Sequence, residues 1–286
     1  MKNARISKKQ NVQKPVSKKG CLWLLGTNRL LNGDCTDKKD VIKLMNGERA
    51  VLFATDPPYK VGYTGTNRPS GGKDWSDSYG RSWDDADVES PLYHDFINVA
   101  KEVAITSHAA WYCWHASKRQ ALLESVWNES GAFLHQQIIW VKSHATCGIG
   151  SRYLWNHEPC LYGWVRGNKP PKLKGISSQK TVWDFPGFTK KNRPNHPTPK
   201  PIELFTIPML QHVPENGLCY EPFSGSGSQI IAGERTGRRV YAMEIEPQYV
   251  DVAIRRWQEE TGKKAILDGD GRTFDEVQKD RGKDLI

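Results

Sequence analysis

The sequence predicts an α/β fold in which a largely parallel sheet is covered by helices on both faces. Three observations carry that prediction. The apolar run AVLFAT (50–55) stops abruptly at Asp56-Pro57-Pro58, as a strand buried on both faces does. The last third of the chain reads strand, turn, helix, strand, helix through GLCYEPFSGSGS, QIIAGERTG, RRVYAMEIE and PQYVDVAIRRWQEE. Between these regions strand-like and helix-like segments alternate, which is the pattern of crossover connections.

Taken in order, residues 1–20 form a basic, flexible tail. It holds seven of the 41 Lys and Arg residues (Lys2, Arg5, Lys8, Lys9, Lys14, Lys18, Lys19) and no acid, so the rest of the chain is nearly balanced against its 32 acidic residues. Such a tail serves as an arm for nucleic-acid phosphates or as a solvated solubilising segment. CLWLLGTNRLLNGDC contains short apolar runs and ends beside the acid Asp34. A helix over 37–48 precedes the 50–55 strand. Residues 60–85, with Gly62, Gly65, Gly71, Gly72 and Gly80, form a long mobile loop of the kind that carries function. A helix-like segment (91–104), a strand (109–116), a helix (117–129), a strand (134–142) and a strand (157–165) follow. Residues 166–195 are basic and broken by proline, which suits an exposed segment. NHPTPKPIELFTIPML begins as a turn and becomes a helix. The body spans 21–270, and 271–286 is expected to be a C-terminal tail.

The chain's 286 residues are enough for a sizeable core, and 37% hydrophobic with 26% charged residues is a globular composition. Its 11 Trp, 10 Tyr and 8 Phe make it rich in stackable rings. A mean hydropathy of -0.65 and the lack of any long apolar stretch argue against a membrane protein. The first twenty residues lack the apolar centre of a secretion signal, so a cytoplasmic location is expected. Six scattered cysteines without a CxxC spacing fit reduced thiols. His144 with Cys147 and His157 with Cys160 have a spacing seen in zinc sites. In a strand, however, positions three apart point to opposite faces, and no metal is expected.

In open parallel sheets ligands bind beyond the carboxyl ends of the strands. Three places there hold reactive groups: Asp34, Asp56-Pro57-Pro58-Tyr59, and Glu221-Pro222-Phe223-Ser224-Gly225-Ser226-Gly227 with Glu244 ending the next strand. The glycine turn lets backbone approach a ligand, and an acid 19 residues after Gly225 can accept hydrogen bonds from the two ribose hydroxyls of an adenosine. That pattern fits NAD as well as S-adenosylmethionine, although Ile230 stands where the dinucleotide fingerprint has its third glycine. The DPPY run is more specific. An exocyclic amine of adenine or cytosine is a weak nucleophile because its lone pair is delocalised into the ring. Asp56 carboxylate and the Pro57 carbonyl can accept its N–H bonds and expose that lone pair to a methyl donor. The prolines limit reorganisation, and Tyr59 offers a ring for stacking.

These elements resemble the amino-group DNA methyltransferases of the DNA methylase N-4/N-6 type. DPPY is similar to their catalytic motif, and EPFSGSGS to their cofactor motif DPFxGSGT, with Glu221 for the usual Asp and Ser228 for the usual Thr. NHPTPKP, LLNGDC, HEPCLYGW and YAMEIEPQYVDVAIRR are similar to further elements of the family. Catalytic motif first and cofactor motif last is the order of its beta group. The resemblance implies a Rossmann-like, circularly permuted, seven-stranded class I methyltransferase sheet. In it the strands ending at Glu244 and Asp34 would be neighbours. The implied cofactor is S-adenosylmethionine, held by Asp34, Thr198, Lys200, Glu221, Phe223, Ser224, Gly225, Gly227 and Glu244, with Thr198 and Lys200 at its methionine portion. For Asp34 a helix-capping role competes.

The implied substrate is DNA, with the target base flipped into the pocket. Loops 60–85 and 143–182 are the candidates for sequence recognition. Asp at the first motif position favours adenine N6 over cytosine N4. Pro159-Cys160 could imply cytosine carbon-5 chemistry, but a small buried thiol explains it. An RNA or protein methyltransferase and an inactive DNA-binding relative are the rival readings. Monomer and homodimer both remain open.

Overall fold

The computed structural model describes residues 14–59, 91–146, 152–187, 194 and 199–283. Loop 60–85, residues 147–151 of the second candidate loop, Thr198 and the first 13 residues of the tail lie outside them. Two short antiparallel strands, β1 (Leu22–Leu25) and β2 (Asn28–Asn32), lead to α1 (Lys38–Met45). Asp37 starts this helix by accepting the Lys39 N–H at 2.8 Å, and Asn46 ends it in a left-handed conformation. The expected buried strand is β3 (Ala50–Thr55). Then come α2 (Leu92–Val99), continued by a π turn at Ala100–Ala104, β4 (Ile105–Trp114), α3 (Gln120–Glu129), and the long strands β5 (Ala132–Thr146) and β6 (Trp155–Val165). The chain closes with β7 (Val182–Asp184), α4 (Glu203–His212), β8 (Leu218–Glu221), α5 (Ser228–Thr236), β9 (Arg239–Glu244), α6 (Pro247–Thr261), β10 (Ile266–Leu267) and α7 (Phe274–Lys283).

Among the described residues the ten strands form one sheet in the order β10-β1-β2-β9-β8-β3-β4-β6-β5-β7. The seven expected strands are the continuous block from β2 to β5; β1, β10 and β7 extend its edges. From β2 to β4 every pairing is parallel, and β6 then runs antiparallel to β4 and β5. Each strand of the parallel block feeds both faces. In β3, Leu52 and Ala54 enter one apolar cluster with Trp114, Trp140 and Trp257, while Phe53 enters the other with Trp111, Trp127 and Tyr220. That two-sided burial is why AVLFAT carries no alternation of apolar and polar residues.

Three boundary expectations need correction. Segment 271–286 is not a tail, because α7 seats Phe274 and Val277 in the core and Phe274 meets Trp23 edge-on at 5.3 Å. Segment 166–195 is not wholly exposed: β7 pairs with β5 and buries Trp183. The tail ends before residue 20, since Val16 and Ser17 are buried and donate their N–H groups to the Asp251 carboxylate at 2.7 and 2.9 Å. The Ser17 hydroxyl in turn accepts the Trp23 indole N–H at 3.0 Å. Asp251→Ala leaves two buried donors without an acceptor, at a cost of about 2–3 kcal/mol. Expected results are a lower thermal midpoint and faster tryptic cleavage at Lys18 and Lys19 than in the wild type.

Candidate active site

The carboxyl ends of β2, β9, β8 and β3 bring together the groups singled out in the sequence. Asn32 and Glu244 are register partners across the parallel β2–β9 pair. The Asn32 amide donates to the carbonyls of Glu244 at 2.8 Å and Ile245 at 2.9 Å, and the Gly33 N–H donates to the Glu244 carbonyl at 3.1 Å. The expected neighbourhood of the Asp34 and Glu244 strand ends therefore exists. Asp34 does not cap α1, a role Asp37 fills. One of its oxygens accepts the Thr36 N–H and hydroxyl, leaving the other carboxylate oxygen at the strand end.

The turn after β8 is built by backbone conformation. Gly225 and Gly227 have φ of 50° and 77°. A Cβ at Gly227 would stand 2.8 Å from that of Ala253 on α6, so glycine is required there for space as well as dihedral angle. Glu244 holds the turn, accepting the Gly225 N–H at 2.8 Å and the Glu246 N–H at 2.9 Å. Burial pushes the Glu244 carboxyl up to about 7, outweighing those two N–H groups. Ser224 donates its N–H to the Met243 carbonyl at 2.8 Å, and its buried hydroxyl has no protein partner among the described residues. Phe223 stands edge-on to Phe96 at 5.0 Å. Glu221 turns inward. It accepts the Phe223 N–H at 3.0 Å and, with the Gln229 amide oriented nitrogen-inward, that nitrogen at 2.6 Å. Burial drives the Glu221 carboxyl well above the usual range, and its contacts shape the turn.

The DPPY element lies at the end of β3. The Pro58 carbonyl accepts the Tyr93 hydroxyl at 2.9 Å, which fixes the turn that the two prolines begin. Asp56 meets an ammonium: Lys200 Nζ lies 2.6 Å from Asp56 Oδ2, 2.8 Å from the Tyr59 hydroxyl and 3.0 Å from Glu158 Oε2. The Tyr59 hydroxyl itself donates to Glu158 Oε2 at 2.9 Å, and Lys142 pairs with the other oxygen of Glu158. Lys200 is 6% exposed and also faces the rings of Tyr59 and Trp114. All three of its N–H donors have acceptors. Lys200 thus directs its ammonium to Asp56, Tyr59 and Glu158, whereas the family resemblance implies a place for it at the methionine portion of the cofactor.

Burial raises the Asp56 carboxyl, and Lys200 counteracts it. For Glu158 burial also acts upward, yet Lys200 and Lys142 together hold it at about 2. The Lys200 ammonium is lifted by Asp56 and Glu158 against the effect of burial. Burial, then Asp56 and Glu158, push the Tyr59 hydroxyl well above its ordinary range, so it stays protonated. Asp56, Lys200, Glu158 and Lys142 therefore form one linked quartet at the DPPY turn.

Glu158 and Lys142 were absent from the sequence-based site. The available signal was a charged residue inside the apolar strand HEPCLYGWV, three positions from exposed Trp155. Among the described residues no three His, Cys, Asp or Glu side chains are grouped to hold a metal ion. No described helix is long and apolar enough to cross a membrane.

The sequence model of the DNA methylase family, N6/N4 type, matches residues 51–255. The putative methylase YubD of Escherichia coli strain K12 is 24% identical over 222 residues, which covers 78% of this chain and 86% of that protein. Among solved structures, the M1.HpyAVI–SAM complex superposes with a TM-score of 0.57 at 18% identity, over 79% of this chain and 98% of that one. The PvuII DNA methyltransferase, cytosine-N4-specific, superposes with a TM-score of 0.58 at 12% identity, over 93% of each chain.

Proposed function

This chain belongs to the N6/N4 DNA methylase family, and we propose that it transfers a methyl group from S-adenosylmethionine to the exocyclic amine of a base flipped out of DNA, adenine N6 in preference to cytosine N4. The observation that carries this reading is the Asp56 carboxylate, partly buried at the end of β3 near Tyr59 and hydrogen-bonded to Lys200, with β8, the strand that leads to the Gly225–Gly227 turn, as the parallel neighbour of β3. Bound S-adenosylmethionine would supply an electrophilic methyl group on a sulfonium, its sulfur–carbon bond breaking to leave a neutral thioether. The rest is the chain's own work.

The described residues fit that cofactor. Glu244 presents a carboxylate at the end of β9 for the ribose hydroxyls, and the orphaned Ser224 hydroxyl lies in the adjoining turn. Gly225 and Gly227 clear the approach, and Asp34 keeps one oxygen for the adenine side. Phe223 supplies an apolar wall. At the tetrad, Asp56 and the Pro57 carbonyl accept the two amine N–H bonds, turning the lone pair away from the ring. Asp56 then holds the proton released when the amine nitrogen gains its new bond to carbon. The Tyr59 ring stacks on the base.

Nucleoside mass spectrometry of DNA from cells expressing the chain tests the reading, with purified DNA, RNA and protein tried as separate substrates. N6-methyladenine in DNA is the expected product. N4-methylcytosine in its place would move the target to the other amine, a reading to which the PvuII likeness lends weight. Methylated RNA or protein alone would overturn the assignment.

The cofactor should also bind with a defined pH dependence. Only an ionised Glu244 accepts from both ribose hydroxyls, and its carboxyl titrates at about 7. Affinity for S-adenosylmethionine is therefore expected to be highest above pH 7 and to fall by roughly tenfold per pH unit below it. Calorimetry between pH 5.5 and 8.5 measures this; Glu244→Gln should bind more weakly at pH 8 and give a flatter profile.

A further inference from the structure

We propose that Glu158 is a positioning residue of the methyl-transfer site: it shares the Lys200 ammonium with Asp56 and fixes the Tyr59 hydroxyl, so that its charge sets how freely Asp56 accepts the target amine. The inference rests on the proposed reaction and adds to it a residue on the antiparallel hairpin, far in sequence from the catalytic motif.

The geometry carries it. A single ammonium bridges Asp56 Oδ2 at 2.6 Å and Glu158 Oε2 at 3.0 Å, and the same Glu158 oxygen accepts the Tyr59 hydroxyl at 2.9 Å. Tyr59 is thereby tied to Glu158 directly, and Asp56 is tied to it through the Lys200 ammonium. Asp56 Oδ1 is buried and unpartnered among the described residues, so Lys200 holds one oxygen while the other remains to accept an N–H. If Lys200 belonged to Asp56 alone, the ammonium would satisfy the carboxylate and compete with the incoming amine. If Lys200 were drawn wholly to Glu158, the partly buried Asp56 would take up a proton and lose its function as acceptor. Glu158, anchored from behind by Lys142, keeps the ammonium between these limits.

Other groups around Asp56 do not supply this charge. Glu221 on β8 is turned to the Phe223 N–H, and burial pushes its carboxyl, like the thiols of Cys113 on β4 and Cys160 on β6, well above the ordinary range. Tyr59 stays protonated. Glu158, held at about 2, is thus the carboxylate that shares an ammonium with Asp56 among the described residues.

The test uses Glu158→Gln, which keeps shape and hydrogen-bonding ability but removes the charge, and Lys142→Met, which releases Glu158 to pull harder on Lys200. Carbon-13 carboxyl titration of the unliganded full chain reads Asp56 directly, and single-turnover methyl transfer to unmethylated phage DNA reads the reaction. In E158Q the Asp56 midpoint and the acid limb of the rate profile should both move to lower pH. The rate at the plateau should fall about 10- to 100-fold, and S-adenosylmethionine affinity should stay within about twofold. In K142M the midpoint should move to higher pH. A merely structural role would lower the folded fraction without moving either titration. Unchanged midpoints in both variants, or opposite shifts, would overturn the proposal; if E158Q does not fold, K142M alone decides it. Wild-type protein that methylates no DNA defeats the proposed function, whereas an active wild type with unmoved titrations defeats only the role of Glu158.

Discussion

Asp56→Ala should lower methyl transfer to DNA by about 10²- to 10³-fold while leaving the dissociation constant for S-adenosylmethionine within a few-fold of wild type. In the proposed reaction Asp56 serves the target amine, and the groups assigned to the cofactor, Glu244, Ser224 and the Gly225–Gly227 turn, are held by their own hydrogen bonds. The variant is also expected to fold. Lys200 retains Glu158 at 3.0 Å and the Tyr59 hydroxyl at 2.8 Å after the carboxylate is removed, so no buried charge is stranded. Burial already disfavours the ionised Asp56, and its removal relieves that strain. Tritiated-methyl incorporation beside calorimetry separates chemistry from binding. Turnover within tenfold of wild type would remove Asp56 from the mechanism.

The groups that the sequence made legible are those whose signal is local. DPPY follows an apolar run, the glycine turn joins a strand to a helix, and Glu244 closes the next strand. Each needs only a few neighbouring residues to be recognised, and each lies where the parallel sheet puts its ligand edge. Family order added what local pattern lacks, the adjacency of β2 and β9, two strands some 200 positions apart. That adjacency is realised in the Asn32 and Glu244 register.

The parts that escaped depend on long-range pairing of polar groups. Lys200 and Asp56 are 144 positions apart, and Tyr59 and Glu158 are 99 apart. Nothing in either segment alone marks them as partners, because a lysine or glutamate reads as solvated until its surroundings are known. The same reason hid the end of the N-terminal arm, where Asp251 reaches back 235 positions to Val16. Segment FDEVQKDRGK reads as a tail because its charge conceals the two residues, Phe274 and Val277, that dock it. Strands β1, β7 and β10 span two to four residues, too few for a period to register.

Lys200→Met tests the quartet by the opposite route from Asp56→Ala, for it removes the shared cation and leaves both carboxylates. Methionine keeps the apolar stem, so the loss is chiefly of charge. The expected destabilisation is about 3–5 kcal/mol at neutral pH, the cost of stranding a buried ionised partner. The pH dependence identifies its origin. In the wild type, Glu158 is depressed from 4.5 to about 2, so its contribution is present above its unfolded value and is lost as pH falls toward 2. In the variant, Asp56 loses the cation that restrains it, and its carboxyl rises further above the ordinary range. A group raised in the folded state favours folding at low pH and ceases to do so as pH rises through its folded value. The stability gap between the two proteins should therefore be widest near pH 8 and narrow toward pH 5. Denaturant unfolding at pH 5, 6.5 and 8 measures it. A gap independent of pH would mean that Lys200 acts through packing of its stem, and that the ammonium does not hold the two carboxylates in their charged form.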